Sequence, residues 1–344
     1  MREDERQVLI ALIELSEPVE TENNTTYHFY PATLEQAAAY FGDLRGDWTL
    51  AYPSLVEQKA LAFENGTYVL TEWGKTVARQ ERLDHPPIYY WYRAFFPAAA
   101  RSRAYARFCE KLYGMNFYQA GFSDLDQVRE IIKFGRLGPE SRILELGCGL
   151  GGITEYLSDQ TGARAWGVDY IPEAVDLARQ RTHDKRDRLD FLHGNLDHLE
   201  KLDGQWDTLV SVDTLYMPND LPQTLSAMRS LLRSGGQMLI FYSHFLFQPG
   251  ESRDHLKPEG NALGAALAEM GFSYEAKDFS EATHHLMRRK HRLALEMQSE
   301  FEAENSQSLL DFIQRESDGG ESPFDPEMNI YSRYLYRVEC QAVS

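Results

Sequence analysis

The chain is poor in cysteine, short of basic residues relative to acidic ones, and free of long apolar runs, and each shortage removes a class of protein. Its three cysteines, Cys109, Cys148 and Cys340, stand far apart in 344 residues. They have no zinc-ligand spacing and are too few for a disulfide framework, so they read as reduced thiols. No apolar stretch is long enough to span a bilayer. Met1-Arg2-Glu3-Asp4-Glu5 sets no apolar segment behind a basic start, so no secretory signal is expected and a cytoplasmic location is. With 35 Lys and Arg against 53 Asp and Glu, the formal net charge of −18 repels polyphosphate. Small molecules, amines among them, are favoured as partners over nucleic acid.

What is present begins with helical spacing of Val8, Leu9, Leu12, Ile13 and Leu15, which predicts a first helix over residues 4–15. Pro18 and a polar stretch over 20–26 interrupt it. Thr33 can cap a second helix through residue 41, and a third fits 52–59. Residues 61–64 and 67–70 flank Asn65-Gly66, the pair that supplies positive φ at both positions of a two-residue hairpin turn. Thr71 then caps one more helix. His85-Pro86-Pro87 marks a boundary. It is followed by the aromatic run Ile88-Tyr89-Tyr90-Trp91-Tyr92-Arg93-Ala94-Phe95-Phe96-Pro97, read as glue or an aromatic wall, and by a helix over 98–112.

From residue 142 to 242 strands alternate with helices. Strands are predicted at 142–146, 164–168, 189–193, 207–212 and 237–242, with helices at 152–160, 172–182 and 220–233. Such alternation requires a parallel sheet with right-handed crossovers and a ligand at its carboxyl edge. Beyond residue 247 helices fit 260–270, 280–302 and 306–316, and a last strand fits 331–340.

Ile143-Leu144-Glu145-Leu146-Gly147-Cys148-Gly149-Leu150-Gly151-Gly152 reads as a buried strand ending in an acid and a glycine turn that lets backbone approach a ligand. Trp166-Gly167-Val168-Asp169 ends the next strand in a second acid. Gly147-x-Gly149-x-x-Gly152 alone also fits a dinucleotide. The first acid suits a cationic cofactor group and the second a ribose diol, and S-adenosylmethionine has both. In order and spacing, residues 110–245 resemble class I S-adenosylmethionine-dependent methyltransferases. Leu112-Tyr113-Gly114-Met115-Asn116-Phe117-Tyr118-Gln119-Ala120-Gly121-Phe122 resembles the lead-in of small-molecule N-methyltransferases of the phosphoethanolamine and glycine/sarcosine type. Residues 1–84 resemble a winged-helix domain in their element order.

The resemblance implies an α/β fold: a doubly wound, Rossmann-like, seven-stranded methyltransferase sheet with a smaller N-terminal winged-helix-like domain. The domains expected are 1–85, an aromatic linker and helix at 86–110, and 111–344 with a helical insert at about 250–325. It also implies that Glu145, Gly147 and Gly149 line the methionine end of S-adenosylmethionine and that Tyr118 and Gln119 cover it. Asp169 would accept from both ribose hydroxyls, Tyr170 and Ile171 would flank the adenine, and Asn195 and Leu196 would follow at the adenine amine. Asp213 would stand near the sulfonium. Methyl transfer needs orientation and a dry site more than a metal, so no metal is expected.

An ammonium acceptor must first lose a proton. His244 is the first candidate base and Tyr216 the second. The resembled phosphoethanolamine enzymes carry a His four residues after the acid, where this chain has Met217, so their Tyr–His dyad does not carry over. Arg288-Arg289-Lys290-His291-Arg292 could grip a carboxylate or phosphate, with a solvated helix face favoured. The acceptor expected is a small amine. One rival is a natural-product O-methyltransferase whose N-terminal domain dimerises; a remoter one is a ligand-sensing winged-helix regulator. Residues 1–85 hold 7 basic and 15 acidic side chains, the wrong sign for reading DNA, so packing, lid or homodimer roles are favoured there.

Overall fold

The computed structural model describes residues 1–17, 33–41, 48–247, 250–320 and 322–340. The chain divides into two compact units, Met1–Phe95 and Phe96–Ser344. Pro18 and the polar stretch after it lie outside the described residues.

In the first unit α1 (Glu3–Ser16), α2 (Leu34–Phe41) and α3 (Ala51–Glu57) precede a hairpin of β1 (Leu61–Glu64) and β2 (Thr67–Leu70), and α4 (Glu72–Asp84) follows. Thr33 Oγ1 accepts from Gln36 N at 3.2 Å, capping α2 as expected. The antiparallel register pairs Glu64 with Thr67, so the turn is Asn65-Gly66, with φ of 52° and 84°. Val8, Leu9, Ile13, Ala51, Leu55, Leu61 and Ala78 are packed into one apolar cluster. Thr71 Oγ1 accepts from Gly74 N at 2.9 Å and caps α4. The aromatic run is helical. It lies within α5 (Pro87–Arg101), where Trp91 and Phe95, one turn apart, stack at 4.8 Å. Ser102 caps a separate α6 (Arg103–Tyr113).

The second unit is built on a seven-stranded sheet. Its strands are β3 (Arg142–Leu146), β4 (Arg164–Asp169), β5 (Leu189–His193), β6 (Trp206–Val212), β7 (Leu232–Phe245), β8 (Ser273–Asp278) and β9 (Tyr331–Glu339). The spatial order is β5-β4-β3-β6-β7-β9-β8. β3 to β7 are mutually parallel, and β9 inserts antiparallel between β7 and β8. The order reverses at β3 and β6, so crossovers leave a crevice at their carboxyl ends. Helices α7 (Leu125–Gly135), α8 (Gly152–Thr161) and α9 (Pro172–Arg181) pack one face. The other face is covered by α10 (Leu221–Leu231) and α11 (Ala262–Glu269). Double coverage explains why Ile143, Leu144, Glu145 and Leu146 are all buried instead of alternating.

The insert before β9 departs from the all-helical expectation because it contains β8. That strand is Ser-Tyr-Glu-Ala-Lys-Asp at a sheet edge, with no residue fully buried, and therefore carries no apolar signal. The long helix expected over 280–302 is broken at Met297 into α12 (Ser280–Glu296) and α13 (Gln298–Ala303), with α14 (Gln307–Arg315) next. The basic run on α12 is solvated at Arg289 and Arg292 but not at its centre. Lys290 is 2% exposed and donates at 2.7 Å to Glu316, itself 2% exposed.

A test of the local fold lies at the start of α4. Thr71→Ala is expected to lower stability by about 1 kcal/mol through the lost cap. Gly74→Ala should cost more, since its Cβ would come within 1.8 Å of Ala60 O. Urea unfolding of the two variants against the parent checks the ranking.

Candidate active site

The glycine turn after β3 is held by the end of β4. Gly147 N and Cys148 N donate to Val168 O at 2.7 and 3.0 Å, and Gly149 N donates to Asp169 Oδ2 at 2.8 Å. Gly147, Gly149 and Gly151 have φ of 75°, 52° and 75°, a region side chains rarely enter. Space imposes the same choice. A Cβ on Gly147 would lie 2.2 Å from the Thr214 side chain, and one on Gly149 would lie 2.8 Å from the Phe96 ring.

Both acids at this edge are buried, and burial moves both upward. Glu145, at the penultimate position of β3, accepts from Thr154 Oγ1 of α8. Its pKa is pushed up to about 8 by burial, with the charge of Asp169 adding to the effect. Asp169 is pushed up to about 6 by burial, against the pull of backbone N–H bonds from Ile171 and Gly149. Asp169 Oδ1 accepts from Ile171 N at 2.9 Å. Each oxygen thus holds one close donor, the Tyr170 N–H also bears on the carboxylate, and a carboxylate can take about four donors in all. Acceptor capacity for a ligand hydroxyl remains.

The lead-in loop crosses the turn. Phe117 O sits where a Cβ on Gly152 would be, at 2.3 Å, and the Tyr118 ring lies under the Arg181 guanidinium at 5.1 Å. Arg181 in turn donates to Leu150 O of the glycine turn at 2.9 Å. Gln119 O accepts from Tyr105 Oη at 2.7 Å, and Gly121 O from Tyr113 Oη at 2.9 Å. The structure thus brings Tyr118, Glu145, Gly147, Gly149, Asp169 and Ile171 to one place. At the Asp169-Tyr170 turn, His193 Nε2 meets Tyr170 O at 3.0 Å. Asn195 Oδ1 caps the following turn by accepting from Asp197 N at 2.9 Å, and Leu196 packs in the apolar core.

Asp213 is committed to other partners. Its φ is 56°, and its four acceptor directions are filled. Oδ1 accepts from Arg333 Nη1 and, at 3.2 Å, from Tyr216 Oη. Oδ2 accepts from Arg333 Nη2 at 3.0 Å and Phe122 N at 3.2 Å. A ligand could reach this carboxylate only by displacing one of those donors. Tyr216 Oη also accepts from Ser243 N at 2.8 Å, and burial raises its pKa well above the ordinary phenol value. It stays protonated, which suits an orienting group better than a base. His244 turns to Glu251 and His255.

The sequence matches a family profile described as a methyltransferase domain over residues 143–236. The chain carries a methyltransferase domain. A phosphoethanolamine N-methyltransferase 1 from Arabidopsis thaliana is 24% identical over 174 residues, covering 48% of this chain and 35% of that one. Sarcosine/dimethylglycine N-methyltransferase from Halorhodospira halochloris is 28% identical over 182 residues, covering 47% and 61%. The chain thus spans about a third of the length of the plant relative. Among solved structures, Haemonchus contortus phosphoethanolamine N-methyltransferase 2, in complex with phosphomonomethylethanolamine and S-adenosylhomocysteine, superposes with a TM-score of 0.55. It is 18% identical and covers 73% of this chain and 60% of that one. The shared fold is the seven-stranded methyltransferase sheet.

Around the methyltransferase domain the sequence reading overlooked Arg333, which lies on β9 outside the matched residues. It is fully buried and spends all five N–H bonds: Nε on Gln127 Oε1 at 2.9 Å, Nη1 on Ser243 Oγ at 2.9 Å and on Asp213, and Nη2 on Ser123 Oγ at 2.6 Å and on Asp213. The available signal was an arginine inside Tyr331-Ser332-Arg333-Tyr334-Leu335-Tyr336, a strand otherwise suited to burial on both faces. Arg333→Met should destabilise the second unit by about 3–5 kcal/mol, because Asp213 is left charged and uncompensated. Adding Asp213→Asn should recover part of that loss in urea unfolding.

Proposed function

We propose that this chain transfers a methyl group from S-adenosylmethionine to a small-molecule acceptor bearing an amine. The observation that carries the donor assignment is Asp169: a buried carboxylate at the end of β4, aimed by the N–H groups of Gly149 and Ile171 at the edge of the glycine turn. A ribose diol presents its hydroxyl donors to one carboxylate. The residues present fit the cofactor. Gly147 and Gly149 keep the turn clear of side chains, Glu145 supplies an acid beside it for an amino group, and the Tyr118-Gln119 loop closes over it. Tyr170 and Ile171 follow Asp169 at the adenine end, with Asn195 and Leu196 after the next strand.

When bound, the cofactor supplies an activated methyl group on a positively charged sulfur. The protein's part is to orient and to keep water out. Asp213 acts through Arg333, Phe122 and Tyr216, holding the end of β6 against the lead-in loop. A proton leaving an ammonium acceptor goes to His244 in this reading, with Glu251 setting its tautomer. Tyr216 orients the end of β7 through Ser243.

The amine acceptor is supported by the relatives, both named for transfer to nitrogen. The first unit is read as a winged-helix-like domain from its order of three helices, hairpin and helix. Its acidic balance favours packing, a lid role or homodimer formation over contact with DNA. The three cysteines are buried free thiols, which suits a reducing compartment such as the cytoplasm.

The test is transfer of a labelled methyl group to a panel of amines, amino acids, phenols and peptides. Label is expected in an amine; label in phenols alone would move the reading to oxygen, and label in none would overturn it. In parallel, S-adenosylhomocysteine should bind the parent and be lost in Asp169→Ala. The acceptor form of Asp169 is the ionised one, so affinity should rise with pH through about 6 and fall below it as the carboxyl protonates. Calorimetric titration across that interval reads the direction, and a flat profile would contradict the ribose assignment.

A further inference from the structure

The end of β7 carries a cluster in which His244, read above as the base for the acceptor, meets two further groups that could hold a metal. His244 Nε2 lies 2.8 Å from Glu251 Oε1, and His255 Nδ1 lies 3.2 Å from the same oxygen. The two imidazoles meet edge to face, with centroids 5.6 Å apart and planes at 84°. One ligand atom from each of the three residues lies within 4.8 Å of the others.

We propose that His244, Glu251 and His255 form a binding site for a divalent transition-metal ion of the zinc type, separate from the methyl-donor site. Two imidazoles and one carboxylate are a donor set that zinc takes in three-ligand centres, with a fourth position left to water or another ligand. The spacing agrees. Metal–ligand bonds of about 2.0–2.2 Å in a tetrahedron set neighbouring ligand atoms about 3.3–3.6 Å apart, close to the two separations from Glu251. The remaining edge, between the imidazoles, is no longer than 4.8 Å, and closing it falls to His255. Its side chain is 47% exposed, against 15% for His244 and 10% for Glu251.

The backbone holds the set in part. His244 is fixed on β7 opposite Ser332 of β9. Glu251 precedes, and His255 lies within, a short turn over Arg253–Leu256 whose start is capped by Ser252, and the two side chains meet across four residues. Magnesium and calcium prefer oxygen ligands throughout. An imidazole pair therefore selects for zinc and its transition-metal neighbours. An ion here takes the Nε2 lone pair of His244 and withdraws that residue from proton transfer. The two uses of His244 exclude each other, so metal binding is measured apart from methyl transfer.

The experiment uses the full chain, tag-free and stripped with a chelator, titrated with Zn2+ in a calorimeter and with Co2+ by visible absorption. One Zn2+ per chain is expected, together with the intense bands of four-coordinate Co2+. His255→Ala, at an exposed position where an unchanged melting temperature is expected, should weaken Zn2+ binding by more than about a hundredfold, beyond what loss of a merely orienting partner does. Glu251→Gln should weaken it as well, and His285→Ala, on the exposed face of α12, should not. No one-to-one Zn2+ binding by the parent, or equal binding by His255→Ala, would overturn the site. Neither result bears on S-adenosylhomocysteine affinity, so failure here and failure of the methyl-donor reading are separable.

Discussion

The second unit depends on one buried ion pair, Arg333 with Asp213. An arginine with no exposed surface survives burial only if every N–H finds an acceptor and its charge finds a counter-ion. Here Gln127 from α7, Ser123 before it, Ser243 from β7 and Asp213 after β6 meet that demand together. Three separate stretches of chain are thereby fixed relative to β9. Because Asp213 also takes the N–H of Phe122 and the hydroxyl of Tyr216, the same charge pair sets the lead-in loop and the end of β7. The left-handed backbone at Asp213 is a local strain that this bonding offsets.

Across the crevice, the glycine turn and the two acids form a second constraint with a different logic. Small residues there keep backbone within reach of a ligand, while burial holds Glu145 and Asp169 at raised pKa. Raised carboxyls are poised groups: a cationic or hydroxyl-bearing ligand favours their ionised form and so gains from them. Thr154 and the backbone N–H groups of Gly149 and Ile171 aim the acids, so α8, β3 and β4 share in positioning them.

Much of this was legible in the sequence. β3, β5 and the hairpin strands β1 and β2 fall at the predicted residues, because continuous apolar runs and Asn65-Gly66 are strong local signals. The glycine turn and Asp169 were legible for the same reason, since a tight turn between two strands leaves few residue choices. β8 was not, because an edge strand of Ser, Tyr, Glu, Ala, Lys and Asp buries little and shows no apolar alternation. The helix spanning the aromatic run was hidden by Pro97, which α5 accommodates. Lys290 looked solvated because its partner Glu316 lies 26 residues away, beyond any helical spacing. Arg333 escaped for a related reason: a counter-ion 120 residues away in sequence leaves no mark in local pattern.

The central claim is that the glycine turn and Asp169 hold a methyl donor while Asp213 stays locked to Arg333. A crystal structure of the chain with S-adenosylhomocysteine bound tests this most directly. Both ribose hydroxyls should lie within hydrogen-bonding distance of the Asp169 carboxylate, with the Asp213–Arg333 pair intact. A ribose bound elsewhere, or Asp213 drawn off Arg333 to meet the ligand, would contradict the account.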